Sequence, residues 1–154
     1  MNLLITAGNT FVPIDRVRGI TNIFTGRTGA LIALHALERG HTVTLLTSHP
    51  EVVERPPSER WTILPYRTFE DLQHLMREWL TERELDAVIH CAAVSDYLAA
   101  GIYSPAENTR FRPETSRWES EGPDGPALVD RAAGKVKSDE PELWLRLVHA
   151  PKLI

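Results

Sequence analysis

The feature that most constrains this chain is an apolar run, Leu3-Leu4-Ile5, followed at once by Thr6-Ala7-Gly8-Asn9-Thr10. Further on, Gly26-Arg27-Thr28-Gly29-Ala30 heads a helical repeat. An unbroken apolar strand of this kind reads as buried on both faces, as in a parallel sheet. Strand, glycine-containing loop and helix start together make an anion-binding arrangement. The unpaired N–H groups and partial positive charge of a helix N-terminus both favour a phosphate. A plain dinucleotide-binding fold has only a tight turn between that strand and its helix. Here a longer insert intervenes, carrying Pro13-Ile14-Asp15, Arg16, Arg18 and Asn22.

Periodicity extends the pattern. Ala30, Ala33, Leu34 and Leu37 recur at helical spacing, and Gly40 stands where a helix C-terminal cap is expected. Val43 to Thr47 reads as a second strand, His49 to Pro57 as a loop, and Trp61 to Tyr66 as a weaker third strand. Thr68 opens a second helix as N-cap, with Asp71 in a capping-box position and Leu72, Leu75, Met76, Trp79 and Leu80 as its apolar stripe. Ala87 to Ala92 is apolar on both faces, as suits the middle of a parallel sheet. From Tyr97 to Asp130 the chain holds Pro105, Pro113, Pro123 and Pro126, many charges and little periodicity, and reads as a long loop or lid reaching to about residue 134. Leu143 to Val148 alternates as a strand with one face more buried. Strands alternating with helices predict an α/β, Rossmann-like three-layer domain with a mostly parallel sheet, one domain over its 154 residues.

Composition removes several function classes. A net charge of −4 with no basic stripe argues against nucleic acid as a partner. No apolar run approaches the ~20 residues that span a bilayer. The N-terminus lacks the basic start and long apolar core of a signal peptide. The one cysteine, Cys91, lies inside an apolar run and reads as a reduced core residue, so the expected location is cytoplasmic. The six histidines show no metal-ligand spacing, and no protein metal site is expected. A short-chain oxidoreductase would need a tyrosine with lysine four residues on. Tyr66, Tyr97 and Tyr103 are followed at that spacing by Glu70, Gly101 and Glu107, and the G-x-G-x-x-G fingerprint is missing.

Ligands of open parallel sheets bind beyond the carboxyl ends of the strands. Three groups fall near such ends: Gly8 to Gly29, then Ala92-Ala93-Val94-Ser95-Asp96-Tyr97, then Lys135-Val136-Lys137. Each has a plainer reading: a loop that only turns the chain, an aspartate that caps a turn, lysines that are solvated. Together they suit a nucleotide and a phosphorylated acid.

In this order the groups resemble the phosphopantothenoylcysteine synthetase family, the ligase half of the bacterial bifunctional coenzyme A flavoprotein. The first family pattern is matched by Thr6-Ala7-Gly8-Asn9-Thr10, Pro13-Ile14-Asp15-Arg16-Val17-Arg18-Gly19-Ile20-Thr21-Asn22 and Thr25-Gly26-Arg27-Thr28-Gly29-Ala30. The second is matched by Ala92 to Tyr97, and the third by Gly134-Lys135-Val136-Lys137 with the strand and Pro151-Lys152 after it. Asn9 stands where the family has a second glycine, Ile23 and Phe24 precede Thr25, and Ser138 replaces a lysine. Members of the family continue past the point matched by Ile154 with further sheet elements.

The resemblance implies a ligase that joins 4′-phosphopantothenate to L-cysteine through an acyl nucleotidylate, with CTP or ATP as substrate and Mg2+ on the triphosphate. It implies a homodimer and no flavin in this chain. By resemblance Asn22 and Lys135 are catalytic, and Gly8, Thr25, Gly26, Arg27 and Gly29 hold the nucleotide phosphates. Arg18, Ala92, Ala93, Asp96 and Lys137 would bind the other substrate. The alternative is a degenerate nucleotide-binding domain without ligase activity.

Overall fold

The computed structural model describes residues 1–54, 58–132 and 136–153. It divides into two compact units, one formed by Met1–Val12, Ile20–Asp96 and Pro151–Ile154, the other by Pro13–Gly19 and Tyr97–Ala150.

The first unit is built on a parallel sheet. Strands β1 (Asn2–Ala7), β4 (Thr42–Thr47), β5 (Trp61–Pro65) and β6 (Ala87–His90) lie in the order β5-β4-β1-β6. Leu3 is level with Val43 and with Ala87, which sets the register of the two central pairings. Because side chains alternate along a strand, β1 serves two cores at once. Leu3, Ile5 and Ala7 pack with Val43, Leu45 and Ile63 under helix α1 (Arg27–Glu38). Leu4 and Leu46 pack with Tyr66, Leu72 and Met76 of the face covered by helix α2 (Phe69–Glu82). The α/β, Rossmann-like character read from the alternation of elements is what the structure shows.

Helix boundaries follow local chemistry. Thr68 Oγ1 accepts the Asp71 amide at 3.1 Å, and Asp71 Oδ2 accepts the Thr68 amide at 2.8 Å, a reciprocal capping box. At the end of α1, Gly40 at φ +87° donates to Leu37 O and His41 donates to Ala36 O. That pair of bonds is a Schellman motif, and its left-handed residue is why glycine stands there. The buried face of α1 is made of small residues, Gly29, Ala30, Ala33 and Ala36, with Leu37. Leu80, on the margin of the α2 stripe, is exposed.

Two expectations change. Strand β6 was expected mid-sheet, but among the described residues it is the edge, paired only with β1, and its side chains are half-buried or exposed. An apolar run reports side-chain character, not how many neighbours a strand has or how deeply it is covered. The segment after Tyr97, expected as a long loop or lid, holds strands β7 (Tyr97–Pro105), β8 (Thr109–Arg112), β9 (Arg117–Ser120) and β10 (Leu128–Asp130). The prolines punctuate these strands rather than break them. Pro105 ends β7, Pro113 follows β8, and Pro123 and Pro126 lie between β9 and β10.

These strands form the second unit. Strand β11 (Trp144–His149) and β10 flank β7 in an antiparallel sheet, while β8 and β9 pair as a hairpin. Phe111 and Trp118 face each other across the hairpin with ring centroids 5.3 Å apart, and Trp144 lies within 4.7 Å of both. The charges that made this stretch look like a loop pair across strands, as in Arg112 Nε to Glu119 Oε2 at 2.9 Å. Strands β2 (Phe11–Pro13) and β3 (Gly19–Thr21) form a two-stranded ribbon where the chain leaves the first unit and returns to it.

Candidate functional site

Three of the glycines singled out by sequence meet at the carboxyl end of β1. Gly8 (φ +91°) and Gly26 (φ +73°) both lie in the left-handed region. A Cβ on Gly26 would stand 2.1 Å from the Gly8 nitrogen and 2.7 Å from its Cα, so the helix start rests directly on the strand end. Gly29, one turn into the fold of α1, lets the helix approach the sheet. A Cβ there would lie 2.8 Å from Ala7 Cβ and 2.9 Å from the Thr6 carbonyl. The start of α1 has no side-chain cap and no acid in its first turn. First-turn amides lack intrahelical acceptors, so they and the helix dipole present positive potential there. Phe24, Thr25, Arg27, Thr28 and Cys91 join the glycines and Ala93 around a cavity of about 430 Å3. That is room for a phosphate-bearing ligand.

A hydrogen-bonded frame holds the loops beside this cavity. Asn22 Nδ2 donates to the Ala93 carbonyl at 3.0 Å, and the Asn22 carbonyl accepts from Asn9 Nδ2. Asn9 and Ser48 exchange two bonds: the Asn9 amide donates to Ser48 Oγ at 2.8 Å, and Ser48 Oγ donates to Asn9 Oδ1 at 2.9 Å. The residue that departs from the family glycine is thus an anchor between β1, β4 and the Asn22 loop. Sequence reasoning marked Asn9 only as a departure and missed Ser48.

Two buried threonines were missed as well. Thr6 Oγ1 accepts the amides of Cys91 and Ala92, each at 3.1 Å. With both lone pairs taken, its own hydrogen points to His90 Nδ1, 2.7 Å away. His90 is therefore the neutral ring with its proton on Nε2, and desolvation pushes its pKa below the ordinary value. Thr10 Oγ1 accepts the Ser95 amide at 2.9 Å. A threonine with no exposure must satisfy its hydroxyl within the fold, and both do so through residues distant in sequence, which no pattern along the chain signals.

The second-substrate residues are distributed unevenly. The Ala92 and Ala93 amides are already donated, to Thr6 Oγ1 and to the Gly8 carbonyl at 2.8 Å. What these two alanines offer a ligand is their small size rather than their N–H groups. Asp96 is exposed and pairs with Lys152 Nζ at 3.5 Å. In the second unit Arg18 grips Asp15, with Nη2 to Oδ2 at 2.7 Å, and also donates to the Val136 carbonyl at 3.0 Å. Asp15 accepts the amides of Val17, Arg18 and Val136 besides. The Arg18 guanidinium, then these amides, hold its carboxyl well below the usual carboxylate range. Lys137 lines a separate cavity of about 360 Å3 with Asp130, Arg131 and Glu140. Lys135 lies outside the described residues. Among the described residues no cluster of three or more His, Cys, Asp or Glu could hold a metal ion. No described helix is long and apolar enough to cross a membrane.

Comparison with known proteins gives this arrangement relatives. Residues 1–106 match the family model described as the DNA/pantothenate metabolism flavoprotein C-terminal domain. The coenzyme A biosynthesis bifunctional protein CoaBC of Escherichia coli K12 is 33% identical over 102 residues, covering 66% of this chain and 24% of that protein. Its counterpart in Thermococcus kodakarensis is 36% identical over 95 residues, covering 62% of this chain and 23% of that protein. The chain thus spans about a quarter of the length of these curated relatives. Among solved structures, the DNA/pantothenate metabolism flavoprotein from Streptococcus pneumoniae superposes with a TM-score of 0.69 at 26% identity, covering 99% of this chain and 61% of that one. A C-terminal domain of CoaBC superposes with a TM-score of 0.53 at 32% identity, covering 64% of this chain and 48% of that one.

Proposed function

Because the chain belongs to the DNA/pantothenate metabolism flavoprotein C-terminal domain family, we propose that it serves coenzyme A biosynthesis, joining 4′-phosphopantothenate to L-cysteine with CTP or ATP as the activating substrate. The observation that carries this reading is the uncapped, acid-free start of α1, seated on the end of β1 beside Arg27 and a cavity. A triphosphate suits it, since amides, dipole and guanidinium all stabilise negative charge there.

In the proposed reaction a carboxylate oxygen of 4′-phosphopantothenate attacks the α-phosphorus and releases pyrophosphate. The cysteine amine then attacks the acyl carbon, and the nucleoside monophosphate leaves. Charge accumulates first on phosphorus oxygens and then on the acyl oxygen, and preorganised donors stabilise both. Asn22, fixed by its bond to Ala93, is the polar group assigned to the acyl nucleotidylate. Gly8, Thr25, Gly26, Arg27 and Gly29 form the phosphate cradle. Lys135 and Lys137 enter the proposal as cations, and Arg18, Ala92, Ala93 and Asp96 as contacts to the pantothenate arm. Mg2+ would come with the triphosphate, held by phosphate oxygens and water. A homodimer belongs to the same reading, and analytical ultracentrifugation reads it directly.

The test is calorimetric titration with Mg-CTP and Mg-ATP beside exchange of labelled pyrophosphate into the nucleotide. Arg27→Gln is expected to weaken nucleotide binding at least tenfold, ~1.4 kcal/mol. Unchanged affinity in the folded variant removes phosphate binding from the start of α1. Binding without exchange, in the presence of 4′-phosphopantothenate, leaves a nucleotide-binding domain that does not ligate.

A further inference from the structure

Asp15 divides its two carboxylate oxygens between two tasks. Oδ1 accepts the amides of Val17 at 2.9 Å and Arg18 at 2.8 Å, which closes a turn local to its own ribbon. Oδ2 accepts Arg18 Nε at 3.1 Å, Arg18 Nη2 at 2.7 Å and the Val136 amide at 3.2 Å. Arg18 Nη2 also donates to the Val136 carbonyl at 3.0 Å. One ion pair thus holds both backbone groups of Val136, and all three residues belong to the second unit. The Asp15 side chain has no exposure, whereas that of Arg18 is 45% exposed. A neutral asparagine closes a turn of this kind as well as an aspartate does. The second oxygen and its charge are therefore committed to Arg18 and Val136.

We propose that Asp15 is a positioning residue for 4′-phosphopantothenate, acting through two cations rather than by contact. It fixes the Arg18 guanidinium directly and, through the Val136 backbone, the start of Lys137. The inference rests on the ligase reading, which assigns Arg18 and Lys137 to that reaction. Lys137 follows Val136 in the chain and lines the 360 Å3 cavity. Long cationic side chains lose conformational freedom when they hold a ligand, and a brace formed beforehand removes part of that cost. Arg18 Nη1 takes no part in the described clamp. The guanidinium can hold Asp15 with one edge and present the other to an anion.

Asp15→Asn separates the two tasks. Its Oδ1 still closes the turn, while its Nδ2 donor replaces Oδ2 and faces the donors of Arg18 and Val136. Glu119→Gln is the control, because it breaks the Arg112 pair in the same unit and leaves the clamp intact. Calorimetric titration with 4′-phosphopantothenate reads both the dissociation constant and the fraction of competent sites, and titration with Mg-CTP is run beside it. Asp15→Asn is expected to raise the 4′-phosphopantothenate Kd by about tenfold, as suits the loss of a charge-assisted bond, with the competent fraction and Mg-CTP affinity unchanged. In turnover assays the same variant should raise KM for 4′-phosphopantothenate and leave KM for Mg-CTP as it is. Glu119→Gln should match wild type in every one of these readings. A smaller competent fraction at unchanged Kd overturns the positioning role and leaves Asp15 a brace of the fold. Unchanged Kd and unchanged fraction overturn it too, with the ligase reading intact. A wild-type chain that does not bind 4′-phosphopantothenate overturns the ligase reading and the role of Asp15 together.

Discussion

Replacing Gly26 by alanine tests the contact on which the whole site is built. Three costs and gains compete. A side chain in the left-handed region at φ +73° is strained by ~1–2 kcal/mol. The new Cβ would also fall 2.1 Å from the Gly8 nitrogen and 2.9 Å from the Ala7 carbonyl carbon. Both are backbone atoms, so no rotamer change relieves the clash, and overpacking of this kind costs ~1–3 kcal/mol. Reduced freedom of the unfolded chain returns ~0.4–1 kcal/mol. The net expectation is a destabilisation of about 1–5 kcal/mol, centred near 3. Gly40→Ala is the matched control, because it has the same unit and a similar φ of +87°, but its nearest neighbour is Arg60 Nη1 at 3.5 Å. Only strain and unfolded-state entropy act there, and about 1 kcal/mol or less should be lost. Urea unfolding followed by far-ultraviolet circular dichroism reads both variants, since α1 and α2 both belong to the first unit. Equal losses in the two variants would refute the close seat of the helix on the strand, and with it the geometry of the phosphate cradle.

Two further expectations concern pH. The folded state holds His90 neutral below its ordinary value of 6.5, so it binds fewer protons than the unfolded chain in that window. Stability should therefore fall as pH drops from 7 toward 5, and His90→Gln should flatten that slope; identical slopes in unfolding experiments would count against the Thr6–His90 bond. Asp15 is the opposite kind of group in charge, with a lowered carboxyl whose contribution is present above about pH 4 and is lost as pH falls further. Asp15→Asn should remove that acid-side dependence and speed tryptic cleavage after Lys137, because the carboxylate and Arg18 hold the neighbouring Val136 backbone; unchanged cleavage would show that other contacts hold the segment.

What the sequence by itself determined are the features whose causes are local or periodic. The unbroken apolar run of β1, the spacing of Ala30, Ala33 and Leu37, the Thr68–Asp71 box and the cap at Gly40 each depend on residues a few positions apart. They specified an α/β fold and the place where its first helix begins. Motif order also pointed to the family, because Gly8, Asn22 and Gly26 keep their spacing whatever lies between the strands. Only the tertiary structure decided the rest. Gly29 was read as a phosphate residue, and its space is that left by Ala7 and Thr6 across the helix–sheet contact. Arg18 was expected to bind the second substrate, and its guanidinium is held by Asp15 and by Val136, distant in sequence. The strands between Tyr97 and Asp130 escaped notice because their stability comes from cross-strand partners such as Phe111 with Trp118, which the sequence reading did not pair. Thr6, Thr10 and Ser48 carry their roles through bonds to residues about 40 to 90 positions away. Short-range patterns settle where elements begin and end, while the hydrogen-bond partners of a site belong to whichever segments the folded chain brings side by side.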